Sequence, residues 1–166
     1  LIKQFLMKVI RDYLTINDFA SVIFNNEAIT LDDLLVNRVE KSFNFLKSFS
    51  ANKVIYGVNT GFGPMAQYRI QPEDQLQLQY NLIRSHSSGS GNPLSPIHVK
   101  AAILARLNTL ALGKSGVNIS VISLMKELIN REITPLIFSH GGVGASGDLV
   151  QLAHLALILI GEGEVF

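Results

Sequence analysis

Three residues in a glycine-rich segment could build an electrophile from the chain itself. Ala145, Ser146 and Gly147 follow two other glycines, Gly142 and Gly144, and precede an apolar run. If the Gly147 nitrogen attacks the Ala145 carbonyl carbon, a five-membered ring closes, and loss of water and of the Ser146 hydroxyl leaves an exocyclic methylidene. The glycines allow the tight bend that this closure requires. The following helix would favour negative charge developing near its N-terminus.

The same segment fits two other interpretations. Ala-Ser-Gly before a helix is usually a serine N-cap beside a flexible glycine. The sequence from Gly142 to Gly147 also matches the G-x-G-x-x-G pattern of dinucleotide-binding loops. Pro135 disrupts the preceding apolar segment, and Ser139-His140-Gly141 separate that segment from the glycines, which is not typical of this pattern. A dinucleotide-binding oxidoreductase is the alternative from another functional class.

Two further segments carry groups that could take part in catalysis. Tyr56 opens the sequence YGVNTGFGPM, and His86 lies in IRSHSSGSGNPL. Removal of a weakly acidic proton requires a well-placed base, and a tyrosine can provide one where positive potential stabilises its phenolate. Each residue also has a structural interpretation, Tyr56 as a core aromatic at the end of a strand and His86 as a cap on helix carbonyls.

Together the segments YGVNTGFGPM (56–65), IRSHSSGSGNPL (83–94) and GGVGASGDLVQLAH (141–154) resemble the aromatic amino acid ammonia-lyase family. This family includes histidine, phenylalanine and tyrosine lyases and related aminomutases. The resemblance, from about Thr15 to the last residue, implies that Ala145-Ser146-Gly147 forms a 4-methylidene-imidazol-5-one (MIO) group autocatalytically, without a metal or a dissociable cofactor. It also implies that Tyr56 removes a β-proton from the substrate, so that ammonia leaves and an α,β-unsaturated aryl acid remains.

The resemblance places Ser85 and His86 beside the aromatic ring of the substrate. Gly63, in a mobile loop, and Leu149, beside the ring-forming residues, are further expected substrate-binding residues. The Ser-His pair is similar to the pair in histidine lyases. It is also similar to the pair in bacterial lyases that act on tyrosine, in which the imidazole can form a hydrogen bond with the phenol. Gln151 replaces the proline usual in histidine lyases. Tyrosine is therefore the expected substrate, histidine is the next, and an aminomutase of the same family is the alternative activity.

Composition limits the other classes of partner. The chain has 14 basic and 13 acidic residues and no cysteine. This balance gives no electrostatic footprint for nucleic acid or for an anionic membrane surface, and the lack of cysteine suits a cytoplasmic enzyme. The remaining histidines, His98, His140 and His154, have no metal-ligand spacing, and we expect them to have surface or packing roles.

The elements that must position these residues are mainly helices with a few short strands. Pro72 and Ser95-Pro96 predict helix starts, and Asn118 or Ser120 predicts another. Asn17 is expected to cap a short helix, and Lys53 to Asn59 is β-branched and aromatic enough for a short extended segment. The expected fold is the N-terminal portion of the ammonia-lyase fold, with the glycine loop at a helix N-terminus.

Two units are expected along the chain. Residues 1–14 are predicted to form a helical N-terminal extension, and residues 15–166 the N-terminal lyase domain, truncated before a long helical bundle. The resemblance implies a homotetramer with active sites shared between subunits in the full-length protein. We therefore expect residues 1–166 alone to lack a complete active site and useful turnover.

Overall fold

Short strands alternate with helices in this computed structural model, which describes residues 7–144 and 149–166. In chain order the elements are β1 (Met7–Ile10), α1 (Ile16–Phe24), β2 (Ala28–Leu31), α2 (Asp33–Ser50), α3 (Pro72–His86), β3 (Ser90–Pro93), α4 (Pro96–Leu110), α5 (Ile119–Asn130), β4 (Phe138–His140) and α6 (Leu149–Leu159). A single 3₁₀ turn, Gly63–Met65, lies between α2 and α3. The prediction of a mainly helical chain with a few short strands is confirmed.

The predicted N-terminal helix is wrong where the structure describes it. Residues 7–10 form β1, which pairs in parallel with β2 from Met7 opposite Ala28 to Ile10 opposite Leu31. Ile10 is buried in the core. Pairing with β2 and burial of Ile10 outweigh the local helical pattern. The local pattern does not include these interactions, because β2 lies about 20 residues further along the chain. Residues 1–6 lie outside the described residues.

Helix α1, which connects the two strands, begins at Ile16, two residues earlier than a cap at Asn17 would allow. Thr15, rather than Asn17, is the N-cap, and it forms a capping box with Asp18. Lys8 of β1 forms an ion pair with Asp18. Together, Lys8 and the hydrogen bonds from Thr15 lower the pKa of Asp18 from 3.8 to about 2.

The hydrophobic core is centred on α4 and α5. Their buried side chains are all apolar: Val99, Ile103, Leu104, Leu107 and Leu110 on α4, and Ile122, Met125, Leu128 and Ile129 on α5. Each such side chain contributes about 1.5–3 kcal/mol relative to an exposed position. At the end of α5, Asn130 accepts a hydrogen bond from the Ile29 backbone N–H and donates one to the Ile29 carbonyl, both at 2.8 Å, which fixes β2 against this core.

Helices α3 and α6 pack against each other beside this core. Helix α3 begins at Pro72 as predicted. No described residue of this helix is fully buried. Arg84 on α3 forms two hydrogen bonds, 2.6 and 3.0 Å long, with the Glu162 carboxylate just after α6. The strands that flank these helices, β3 and β4, pair antiparallel, with Ser90 opposite His140. This arrangement brings the second and third sequence motifs together.

None of the described helices combines the length and the apolar character that a membrane crossing requires.

Candidate active site

Tyr56 lies in a loop that the buried side chain of Asn59 organises. The Asn59 Oδ1 accepts a hydrogen bond from the Ile55 backbone N–H at 2.7 Å, and its Nδ2 donates to the carbonyls of Lys53 at 2.7 Å and Ser50 at 3.1 Å. The extended segment predicted over 53–59 is therefore wrong. A side chain satisfies the backbone groups that a neighbouring strand would have paired, so the chain turns here.

Thr60 fixes the loop on the other side of Tyr56. Its buried Oγ1 accepts a hydrogen bond from the Gly57 backbone N–H at 3.1 Å and donates to the Gly61 carbonyl at 2.8 Å. The Thr60 backbone also forms an isolated antiparallel β-bridge with Arg69, which lies just before α3. The segment that carries Tyr56 is thus held both before and after this residue.

The Tyr56 side chain points outward rather than into the core. It is 64% exposed, so its interpretation as a core aromatic is wrong. The Gly63 backbone N–H donates to its hydroxyl oxygen at 3.3 Å, and the Phe62 ring lies edge-on at 6.0 Å. A backbone donor directed at a phenolic oxygen stabilises negative charge on that oxygen. Gly63 has φ +54° and open space where a Cβ would lie, so its backbone conformation, not crowding, favours glycine.

His86 is the last residue of α3 and bonds to its own helix. Its Nδ1 lies 2.9 Å from the Leu82 carbonyl oxygen and 3.1 Å from the Ser85 hydroxyl. Because a carbonyl oxygen can only accept, Nδ1 carries the proton in this arrangement. In the neutral ring Nε2 is then a hydrogen-bond acceptor. His86 therefore caps a carbonyl of its own helix through Nδ1, and Nε2 takes no part in this cap.

The residues that follow His86 contact α6 directly. The Gly89 backbone N–H donates to Nε2 of His154 at 3.1 Å. His154 is buried, and the Phe138 ring of β4 lies edge-on to its imidazole at 5.6 Å. The sequence predicts only a surface or packing role for His154, and its position in the GGVGASGDLVQLAH motif is the one signal in the sequence of a link to the site.

The ring-forming residues Ala145, Ser146 and Gly147, together with residue 148, lie outside the described residues. Of the described glycines before them, Gly141 and Gly142 lie close to side chains of α6. A Cβ at Gly142 would lie 2.7 Å from Gln151 Oε1, an atom that is buried and has no hydrogen-bond partner among the described residues. Helix α6 begins at Leu149, which is half-exposed. Close packing is thus confined to Gly141 and Gly142, whereas Gly144 has open space where a Cβ would lie.

An open cleft of about 500 Å³ lies before this loop. Its lining residues all come from β4, the glycine loop and α6: Ser139, His140, Gly141, Gly142 and Gln151. Gln151 is one of these lining residues, and its buried Oε1 has no hydrogen-bond partner among the described residues.

The dinucleotide-binding interpretation of the glycine loop does not fit the strand before it. In that motif the glycines connect a parallel strand to a helix within a βαβ unit. Here β4 pairs antiparallel with β3 in a two-stranded sheet. The described part of the chain therefore lacks the parallel sheet that this alternative requires around the loop.

Two pairs of predicted site residues are in direct contact. The Gly63 N–H contacts the Tyr56 hydroxyl, and the Ser85 hydroxyl contacts Nδ1 of His86. Leu149 starts the helix that packs against the one carrying this second pair. The first motif is linked to α3 by a long hydrogen bond of 3.5 Å from the Gln79 side chain to the Gly57 carbonyl. Helix α3 thus contacts the Tyr56 loop through Gln79 and packs against α6.

Comparisons with known proteins agree with this arrangement. The family model for aromatic amino acid lyases matches residues 14–166. A probable histidine ammonia-lyase from Thermoplasma acidophilum is 41% identical over 154 residues, which cover 92% of this chain and 31% of that protein. The chain therefore spans about a third of the length of this relative.

Solved structures match the fold over nearly the whole chain. The tyrosine aminomutase from Streptomyces globisporus gives a TM-score of 0.85 at 35% identity, covering 93% of this chain and 29% of the other. The histidine ammonia-lyase from Trypanosoma cruzi gives a TM-score of 0.83 at 30% identity, covering 96% of this chain and 30% of the other. The expected N-terminal portion of the ammonia-lyase fold is confirmed.

Proposed function

Because the chain belongs to the aromatic amino acid lyase family, we propose that it carries the base, the electrophile precursor and a selectivity element of an ammonia-lyase. The reaction removes ammonia from an aromatic L-amino acid and leaves an α,β-unsaturated aryl acid. The similarity to a probable histidine ammonia-lyase supports L-histidine as the first substrate to test. A probable histidine ammonia-lyase from Thermoplasma acidophilum and a histidine ammonia-lyase from Streptococcus pyogenes do not support the tyrosine preference inferred from Gln151.

The contact between Tyr56 and Gly63 is the observation that carries this proposal. A base that removes a β-proton must be reachable by the substrate and must be stabilised when it is negatively charged. Tyr56 is exposed, and the Gly63 N–H points to its oxygen. The buried side chains of Asn59 and Thr60 hold the loop in this conformation, so Tyr56 is positioned before substrate arrives.

The proposed electrophile is the MIO group that residues 145–147 would hold, and it would make the amine of the substrate a better leaving group. The described residues support a site for it at the start of α6. Gly141 has φ +119°, and a Cβ at Gly142 would require the Gln151 side-chain amide to shift. The N-terminal end of α6 favours negative charge nearby.

His86 and Ser85 are proposed to select the substrate ring. With Nδ1 bonded to the Leu82 carbonyl, the Nε2 of a neutral His86 can accept a hydrogen bond from an imidazole N–H or from a phenol O–H. Both histidine and tyrosine therefore suit this position chemically. Leu149 is proposed to provide an apolar wall beside the electrophile, and the family resemblance supports assembly as a homotetramer.

The experiment compares Tyr56→Phe with a matched control in an enzyme of the relatives' length that contains this chain. Tyr68→Phe is the control, because Tyr68 is also an exposed tyrosine and lies 12 residues further along the chain. We expect Tyr56→Phe to lower kcat for ammonia release about 10²–10⁴-fold, the usual contribution of a positioned base. Tyr68→Phe should keep the wild-type rate. A Tyr56→Phe enzyme that retains the wild-type rate would contradict the assignment.

The similarity to a tyrosine aminomutase makes an aminomutase the second candidate. The two activities differ in the fate of the amino group, which a mutase returns to the β-carbon. Chromatography of the products from L-histidine, L-tyrosine and L-phenylalanine separates an aryl acid from a β-amino acid. A β-amino acid as the main product would favour the mutase.

A further inference from the structure

We propose that His154 is a positioning residue for substrate selection. Through the backbone of Gly89, it fixes the segment 85–89, which contains His86, against the helix that follows the ring-forming residues. The inference rests on the proposed function and extends it from the residues facing the substrate to one behind them.

The hydrogen bond between Gly89 and His154 defines the protonation state of the imidazole. The Gly89 N–H donates to Nε2 at 3.1 Å, so Nε2 is unprotonated and the neutral ring carries its proton on Nδ1. Burial lowers the pKa of His154, which favours this neutral form. A protonated ring could not accept this hydrogen bond.

Close packing around Gly89 leaves little freedom in this contact. A Cβ at Gly89 would lie 2.8 Å from His154 Nε2, 3.2 Å from Phe138 Cβ and 3.3 Å from the His140 carbonyl oxygen. Glycine is therefore needed here for close approach to its neighbours. The backbone of the segment rests directly on the imidazole and on β4.

The positions of Gly89 and His154 in the chain indicate why their hydrogen bond would position His86. Gly89 lies three residues after His86, and His154 lies five residues after Leu149, where α6 begins. One hydrogen bond thus links the element that carries the selectivity histidine to the element that follows the electrophile precursor. A shift of roughly 1 Å in such groups can change a rate by about 10²-fold.

A role in stability alone and a role in positioning make different predictions. Loss of packing would lower activity on every substrate by a similar factor. Movement of His86 would change activity by different factors on substrates whose rings contact His86 differently. The ratio of kcat/KM for L-histidine to that for L-tyrosine therefore distinguishes the two roles.

Two variants of His154 test the hydrogen bond in the full-length enzyme. His154→Phe keeps an aromatic ring without an acceptor, whereas His154→Gln keeps an acceptor on a side chain of similar reach. We expect His154→Phe to change the kcat/KM ratio roughly tenfold and His154→Gln to restore most of the wild-type ratio. The matched control is His98→Phe, since His98 lies on α4 and bonds only to Ser95 among its described hydrogen bonds. The control should leave the ratio unchanged.

Gly89→Ala applies the same test from the other side, because the added Cβ would displace the imidazole. This variant keeps the proposal testable if His154→Phe does not fold. An unchanged ratio in every folded variant of either residue would overturn the positioning role.

Hydrogen exchange at the Gly89 amide provides a measurement that does not depend on activity. We expect faster exchange in His154→Phe than in the wild type, and near wild-type exchange in His154→Gln. If the wild-type enzyme releases no ammonia from any aromatic amino acid, the proposed function fails, and the exchange result still decides whether His154 holds the segment. Equal exchange in wild type and His154→Phe would overturn the inference.

Discussion

The α4–α5 core and the α3–α6 edge use the same secondary structure but are held together by different interactions. Helices α4 and α5 bury rows of apolar side chains, whereas no described residue of α3 is fully buried. The edge is fixed by directed contacts, among them the Arg84–Glu162 pair, the β3–β4 pairing and the Gly89–His154 hydrogen bond. Apolar burial is non-directional, whereas a hydrogen bond specifies a distance and an angle. Stability is therefore concentrated in the core, and site geometry in the edge and the Tyr56 loop.

The largest effect on stability is expected in the core. Leu104→Ala removes a fully buried side chain from α4 and should lower the free energy of unfolding by about 2–5 kcal/mol. Leu76→Ala is the matched control on α3, because Leu76 is 67% exposed, and it should change stability by less than about 0.5 kcal/mol. Urea denaturation of both variants measures the difference. Similar losses in the two helices would contradict the proposed division between core and edge.

A smaller effect on stability and a larger effect on catalysis are expected at Asn59. Asn59→Ala leaves the Ile55 N–H and the Lys53 and Ser50 carbonyls without their side-chain partner, at a cost of about 1–3 kcal/mol. Because Tyr56 follows this frame directly, kcat should fall by about 10²-fold. Denaturation and ammonia release, measured on the same preparation, give both numbers. Full activity in a destabilised Asn59→Ala enzyme would show that the frame does not position Tyr56.

The smallest expected effect is a dependence of stability on pH near neutrality, which arises at the edge. Burial lowers the pKa of His154 below its ordinary value of 6.5, so the unfolded chain binds this proton more readily than the folded one. Its contribution to stability is present above about pH 6.5 and decreases as the pH falls from there through the lowered pKa. His154→Gln should remove this part of the pH dependence.

Thermal unfolding between pH 7.5 and pH 5 measures this effect. Asp18, Glu127 and Glu162, whose carboxyl pKa values are lowered, lose their contributions as the pH falls from about 5. The comparison with His154→Gln cancels these contributions, because both proteins contain the three carboxylates. Identical pH profiles of Tm in the wild type and His154→Gln would contradict the predicted linkage.

Elements with local start signals could be predicted from the sequence. Helices α3 and α4 begin at Pro72 and Pro96 as expected, and Asn118 caps α5 through a 2.9 Å hydrogen bond to the Ser120 N–H. These signals act within one helical turn. The strand at residues 7–10 was missed because its partner lies about 20 residues away, and periodicity within a short window does not register such pairing.

The sequence predicts residues for the candidate site, which stay a prediction, but not the geometry around them. The three motifs predict Tyr56, His86 and the Ala145–Gly147 tripeptide as site residues. The loop that positions Tyr56 was predicted as an extended segment, because the side chain of Asn59 replaces strand partners and no propensity scale includes that contact. The contact between Gly89 and His154 spans 65 residues and requires the packing of α3 against α6, which the sequence pattern does not specify.

The mass of the intact full-length enzyme tests the central claim most directly. If Ala145, Ser146 and Gly147 form the proposed electrophile, the active wild-type enzyme will be lighter than its sequence mass by two water molecules. Ser146→Ala lacks the leaving hydroxyl, so we expect that variant to keep its full sequence mass. We also expect it to release ammonia far more slowly than the wild type. A wild-type enzyme that releases ammonia while keeping its unmodified sequence mass would contradict the proposed chemistry.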